Sequence, residues 1–202
     1  MRLEDTIPIG LVVRDRRCVC VGGCEEVAWK VERLLAAGAK IEVFAKREEL
    51  CERLAGRVRE GAVRLVDPAD GGADVEGAAV VFVSPMHEGL GHELFERAKE
   101  HGTLVCTLDR PAASTFVNPA STDVSGLRIT VASGGAAPAL VKRIREDLEA
   151  LLGDPRMASF VRRLTEMRAK LAPGARGAAM RDKVVGFRLV GKLVFPSWAD
   201  EA

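Results

Sequence analysis

Apolar positions in the first 110 residues fall into short runs separated by stretches of helical period. Arg17 to Gly22 (R-C-V-C-V-G) is an apolar run closing on Gly-Gly, the pattern of a strand entering a turn. From Glu25 to Gly38 the period changes, with Val27, Val31, Leu34 and Leu35 on one stripe and Gly38 as a helix stop. Lys40 to Ala45 reads as a second strand, Glu48 to Arg59 as a charged amphipathic helix, and Val63 to Val66 as a short third strand. Asp67 to Gly77 is rich in Gly and Asp and reads as a loop. Ala78 to Val83 is almost wholly apolar, as expected of a strand buried on both faces. His92 to His101 predicts a helix and Thr103 to Leu108 a strand. Strands alternating with helices imply right-handed crossovers and an α/β fold, a Rossmann-like, doubly wound parallel sheet.

After Pro111 the texture changes. Leu127 to Ala132 predicts one more strand, followed by Ser133-Gly134-Gly135. Pro138 suits the first residue of a helix with Leu140, Ile144, Leu148, Leu151 and Leu152 as its apolar positions and Gly153 at its end. Asp154-Pro155 reads as an N-cap and first-turn proline, before a stripe of Phe160, Leu164, Met167 and Leu171. A third helical piece is expected from about Ala178 to Val194.

Composition narrows the function classes. With 48% hydrophobic and 29% charged residues in 202, the chain has the profile of a globular protein. No apolar run approaches the roughly 20 residues of a membrane span. The opening Met1-Arg2-Leu3-Glu4-Asp5 lacks the apolar core of a secretory leader, so a cytoplasmic location is expected. Tyr is absent and aromatics are 4%, which argues against a base-stacking nucleic-acid binder. The net charge of +1 conceals a split, −4 over residues 1–112 and +5 over residues 113–202. An anionic ligand would be drawn to the second half or the seam, although a solvated basic helical face has the same composition. The odd count of five cysteines fits reduced thiols rather than a disulfide framework. Cys18 and Cys20 share one face of a strand; burial there suits them better than a metal clip with Cys24, which lacks Cys-x-x-Cys spacing.

Four places can carry chemistry. The turn Gly22-Gly23-Cys24-Glu25-Glu26 stands where a dinucleotide-binding fold seats its pyrophosphate on helix N-terminal amides. Cys24 replaces the second glycine of that fingerprint and its Cβ crowds the backbone approach, while two glutamates repel the anion. Lys46 and Arg47 end the second strand where an acid would hold an adenosine ribose; they favour a 2′-phosphate, or are simply solvated. His87 and His92 follow the fourth strand, where they are metal ligands or exposed loop residues. Asp109 ends the fifth strand as a candidate base or metal ligand, or a turn residue before Arg110-Pro111. Ser133-Gly134-Gly135 before a helix has the form of an anion-binding nest, or of a tight strand-to-helix turn.

Taken together, these segments resemble the precorrin-2 dehydrogenase/sirohydrochlorin ferrochelatase module of siroheme synthases, from about Ile7 to about Val194. The resemblance rests on Ile7-Pro8-Ile9, Arg14-Asp15-Arg16-Arg17-Cys18, Val21-Gly22-Gly23 and Leu34-Leu35-Ala36-Ala37-Gly38-Ala39. Most specific are Asp109-Arg110-Pro111-Ala112-Ala113-Ser114-Thr115-Phe116-Val117-Asn118-Pro119 and Val131-Ala132-Ser133-Gly134-Gly135-Ala136-Ala137-Pro138-Ala139-Leu140. The resemblance implies a Rossmann-like dinucleotide-binding domain over 1–112, a dimerisation segment over 113–152 and a C-terminal helical domain over 153–202, working as a homodimer. It implies oxidation of the tetrapyrrole precorrin-2 to sirohydrochlorin with NAD or NADP, and in some members insertion of Fe2+. Asp109 falls on the family's key aspartate for both steps; in the neighbouring chelatase reading His87 or His92 would help deliver the metal, with Asp109 as a ligand. Ser133, Gly134 and Asn118 fall on the substrate side. Gly22, Gly23, Cys24, Glu25, Glu26, Lys46, Arg47 and Ser84 fall on the nucleotide side. That side departs from the family pattern: Cys24 stands for a third glycine, and Ser84-Pro85-Met86-His87 for Ala-Thr-Asp-Asp. The alternatives are a chelatase without redox activity and a non-catalytic tetrapyrrole- or nucleotide-binding regulator.

Overall fold

The structure, a computed structural model, describes residues 3–191. These residues form two compact units, one up to residue 120 together with 132–141, the other 121–131 together with the residues from 142 on. The first unit holds a five-stranded parallel sheet of β1 (Arg17–Val21), β2 (Lys40–Phe44), β3 (Arg64–Val66), β4 (Val80–Val83) and β5 (Leu104–Thr107) in the order β3-β2-β1-β4-β5. The helices between them are α1 (Glu25–Ala36), α2 (Glu52–Arg59) and α3 (Glu88–His101). Such an order places β1 beside β4, where the winding direction reverses and a crevice opens beyond the strand ends.

Strand alternation sorts the core into two layers. Cys18 and Cys20 point to one face, where they meet Val27 and Val31 of α1, Leu54 of α2 and Phe82 of β4. Val19 and Val21 point to the other face, against Val81, Val83, Leu94 and Ala98. All four residues of β4 are buried, as the apolar run predicts. Cys18, Cys20 and Cys106 are buried on the first face, and burial pushes all three thiols up, so they stay protonated. Arg17 closes the second face below β1. It bridges Glu42 at 2.8 Å and Asp74 at 3.4 Å, and donates to the Asp74 and Glu76 carbonyls, pinning the 67–77 loop.

In the second unit Ser125 and Gly126, at φ +53° and +80°, join β6 (Ala120–Val124) to β7 (Leu127–Val131), the left-handed pair of a tight hairpin turn. Two helices follow, α4 (Pro138–Leu152) and α5 (Pro155–Ala169), and then the short α6 (Arg176–Val184). The Ser125 hydroxyl donates to the Leu152 carbonyl at 2.6 Å, tying the turn to the end of α4. Asp154 caps α5 by accepting from the Arg156 amide at 2.8 Å; Arg156 holds its carboxyl down to about 2. No helix among the described residues is long and apolar enough to cross a membrane.

Several predicted elements differ. The helix expected over Glu48–Arg59 is broken at Leu50–Cys51, leaving a 3-10 turn at Arg47–Glu49 and α2 from Glu52. The break lets the Cys51 amide donate to the Gly23 carbonyl at 2.7 Å. Helix α3 begins at Glu88, a turn before His92, so His92 is a helical and not a loop residue. Strand β6 escapes the hydrophobic pattern because A-S-T-D-V is polar and only half-buried. The last helix ends at Val184, before Gly186 at φ +89°, and the end of the expected piece, residues 192–194, lies outside the described residues.

Packing around the first turn is tight enough to test. A Cβ on Gly23 would stand 2.2 Å from the Glu49 carbonyl oxygen and 2.6 Å from its carbon, both backbone atoms that cannot swing aside. Gly23→Ala is therefore expected to cost about 1–3 kcal/mol of stability, read from the urea midpoint. An unchanged midpoint would show that the Glu49–Leu50 segment yields freely.

Candidate functional site

Backbone hydrogen bonds carry the sheet ladder one residue beyond the strands. Gly22 donates to the Phe44 carbonyl, Ser84 to Val21 and Leu108 to Val83, each at 2.9 Å. The carboxyl ends of β1, β2, β4 and β5 are thereby level, and the loops after them share one edge of the sheet. Gly22 has φ +107°, and a Cβ there would meet Ser84 Cβ at 2.6 Å and His87 Cδ2 at 3.3 Å. The nucleotide-side residues Gly22, Cys24 and Ser84 thus come together at the β1/β4 crossing, with the candidate metal contact His87 beside Gly22. Ser84 is buried; its hydroxyl accepts from the Met86 amide at 3.3 Å and lies 3.5 Å from the Cys24 thiol.

Cys24 is the N-cap of α1 and gives it no side-chain cap bond. The first amides of this 12-residue helix therefore lack a side-chain acceptor, and its positive end faces the crevice. The thiol is turned toward Ser84. Glu25 and Glu26 are exposed in the first helical turn, and Glu25 is drawn sideways to Arg53 at 3.4 Å. Arg53 in turn lies 4.2 Å over the Trp29 ring. Lys46 and Arg47 are exposed just beyond β2. A glycine-bounded turn, an uncapped helix start at the topological switch and two cations after β2 fit a dinucleotide.

Asp109 stands at the other end of this edge, exposed after β5, with φ +59°. A left-handed backbone is uncommon for a residue with a Cβ, and aspartate is among the types that tolerate it. What holds it there is the segment that follows. Ser114 Oγ accepts from the Thr107 amide at 3.0 Å and lies 2.9 Å from the Arg110 carbonyl, to which it donates. The Thr115 amide donates to Val105 at 2.8 Å, and the Val105 amide donates back to Thr115 Oγ1 at 2.9 Å. Phe116 then packs edge-on to Phe82, with centroids 5.7 Å apart at 74°. Ser114, Thr115 and Phe116 clip the Asp109 loop to β5. Sequence reasoning singles out the aspartate and misses the clip, although Ser-Thr before an aromatic is its signal.

Asn118 is exposed beyond the clip. Ser133 is half-buried before α4, and its hydroxyl accepts from the Ala137 amide at 3.0 Å, which leaves its own hydrogen free to donate. Gly134 and Gly135 follow at φ +62° and +85°. His92 is exposed on α3, its ring 6.5 Å from Phe95. Among the described residues no three His, Cys, Asp or Glu side chains gather closely enough to hold a metal ion.

Sequence reasoning also misses Lys30. It flanks the buried stripe of α1, half-buried, with its ammonium 5.7 Å over the Phe82 ring. Burial holds this ammonium below the ordinary lysine range; the Asp109 carboxylate opposes that shift and Arg33 adds to it.

Residues 9–120 match the family described as putative NAD(P)-binding. The chain is 35% identical over 151 residues to siroheme synthase 2 of Halorhodospira halophila, covering 73% of this chain and 30% of that protein. It is 32% identical over 164 residues to the siroheme synthase of Methylobacillus flagellatus, covering 80% and 35%. The chain therefore spans about a third of the length of the curated relatives it matches. The fold matches that of SirC, a precorrin-2 dehydrogenase, with a TM-score of 0.68 at 19% identity over 88% of each chain.

The left-handed aspartate can be tested apart from any activity. Asp109→Gly and Asp109→Ala remove the same carboxylate, but only the glycine is at ease at φ +59°. The glycine variant is expected to be about 1 kcal/mol more stable than the alanine variant in urea unfolding. Equal stability would show that the clip imposes no strain.

Proposed function

The chain belongs to the putative NAD(P)-binding family, and from that premise we propose that it oxidises precorrin-2 to sirohydrochlorin with NAD or NADP in siroheme-type tetrapyrrole synthesis. The observation that carries this reading is Asp109, a carboxylate fixed at the end of β5 on the same sheet edge as the dinucleotide turn. The likeness of the matched region to siroheme synthases and to SirC supports the substrate class.

A bound nicotinamide supplies a hydride acceptor. This chain's residues do the rest. Gly22 and Gly23 keep the turn low, and the open amides of α1 receive the pyrophosphate. Lys46 and Arg47 meet the adenosine end. Asp109 takes the proton released from the macrocycle as the hydride departs, its position kept by the Ser114–Thr115 clip. Ser133 donates its free hydroxyl hydrogen to a substrate carboxylate, with Gly134 and Asn118 lining the same side. Within this reading residues 113–152 are the dimerisation segment of a homodimer. The exposed Leu140 and Ile144 of α4 supply an apolar face for it. Insertion of Fe2+, as a second substrate, would call on Asp109 together with His87.

Two measurements test the reading. Purified protein given precorrin-2 and NAD or NADP is expected to reduce the nucleotide with appearance of sirohydrochlorin. Asp109→Asn should lower kcat by about 100-fold or more, the usual worth of a positioned base, with dinucleotide affinity retained. Absence of nucleotide binding at millimolar concentration would overturn the activity. Cys24→Gly should leave the dinucleotide Kd within about threefold, because the thiol already lies toward Ser84. A tenfold tightening would show instead that the Cβ obstructs the pyrophosphate.

A further inference from the structure

Lys30 is unusual among the part-buried cations of the sheet unit. Arg17 is paired with Glu42 and Asp74, Arg57 with Glu32 at 2.7 Å, and Arg97 with Glu93 and the Ala73 carbonyl. Lys30 has no carboxylate within 4.0 Å among the described residues, and its close partner is the face of Phe82. An aromatic face compensates only part of the hydration that a half-buried ammonium gives up. The thiols of Cys20 and Cys106 add no charge, since burial keeps them protonated. Among the described residues the Asp109 carboxylate acts on Lys30 electrostatically from beyond ion-pair distance.

The placement is specific. Phe82 pairs in register with Cys106 of β5, two residues before Leu108 and three before Asp109, and Phe116 packs edge-on to Phe82. The ammonium thus lies over Phe82 on the α1 face of the sheet, beside the strand that ends at Asp109. We propose that Lys30 is a carboxylate-docking residue, whose ammonium receives one carboxylate side chain of the tetrapyrrole and so sets the macrocycle beside Asp109. The inference rests on the activity proposed above. A lysine suits the task because its compact charge accepts a carboxylate from several directions, whereas a guanidinium would demand one planar approach. Part of the ammonium's hydration is already given up before a ligand arrives, so an incoming carboxylate meets a half-buried cation with no carboxylate partner within 4.0 Å among the described residues.

Lys30→Met and Lys30→Gln, both close to lysine in length, test this in steady-state oxidation of precorrin-2. Each is expected to raise KM for precorrin-2 at least tenfold while kcat falls less than threefold and the Kd for the dinucleotide holds. Lys30→Arg should recover part of the KM. Thermal unfolding of the two neutral variants should stay within a few degrees of the parent, and the glutamine variant serves if the methionine one does not fold. An unchanged KM in either folded neutral variant overturns the docking role while the parent's turnover leaves the activity standing. A fall in kcat at constant KM overturns it as well, since it would place Lys30 in the chemical step. A parent protein that neither binds nor oxidises precorrin-2 removes the activity, and the docking role with it.

Discussion

The chain leaves β1 between two walls. On one side Ser84 stands where a Gly22 Cβ would be, and on the other the Glu49–Leu50 backbone stands where a Gly23 Cβ would be. Because neither residue carries a side chain, β1, β2 and β4 end level and the start of α1 drops directly onto the crevice. Everything at the site inherits this closeness. The helix amides are brought to the sheet edge, Ser84 is buried against the Cys24 thiol, and α2 is displaced so that Cys51 can bond to the Gly23 carbonyl. The first two glycines therefore answer to packing between elements, and only the third position of the turn faces a choice about the ligand.

What was legible in the sequence follows from which forces leave a local trace. Burial on two faces leaves one: A-A-V-V-F-V announces a central strand, and Val27, Val31 and Leu34 announce the inner stripe of α1. Turn and cap chemistry leaves one at Asp154-Pro155, where the cap forms as read. Strand β6 leaves none, because hairpin pairing with β7 is backbone chemistry and its side chains are half-exposed and polar. The start of α3 is obscured by Gly89 and Gly91, of which Gly91 is needed because a Cβ would lie 3.0 Å from Thr107 Cγ2. In the site, Asp109 and the glycine turn could be read from position and from family resemblance. Lys30 could not, since a lysine in a charged helix is indistinguishable from a solvated one until β4 places Phe82 beneath it.

Asp109 illustrates how such a site is paid for by its surroundings. A left-handed aspartate at the end of a strand is costly by itself, and it persists because Ser114 and Thr115 spend their hydroxyls on the β5 backbone. Those hydroxyls satisfy strand-edge groups that would otherwise need water, as β5 ends the sheet on that side. One short segment thus closes an edge, holds the loop that carries Asp109 and, through Phe116, packs edge-on to the ring over which Lys30 lies. Motif residues that seem redundant in the linear sequence divide into the left-handed aspartate after β5 and three that hold its loop.

The departure at Cys24 bears on whether the nucleotide side has been abandoned. A lost dinucleotide site would be expected to fill its helix N-terminus with an internal acceptor, because uncompensated amides are costly once no ligand meets them. That has not happened in this chain. Cys24 makes no cap bond, Glu26 approaches only the thiol, at 3.8 Å, and Glu25 is turned to Arg53. Glu25 and Glu26 nonetheless stand exposed in the first turn, where their charge offsets part of the helix dipole without capping the amides. Cys24 adds no side-chain acceptor to the amides of α1, so the substitution has altered the wall of the turn and left the helix start without a cap from its own N-cap residue.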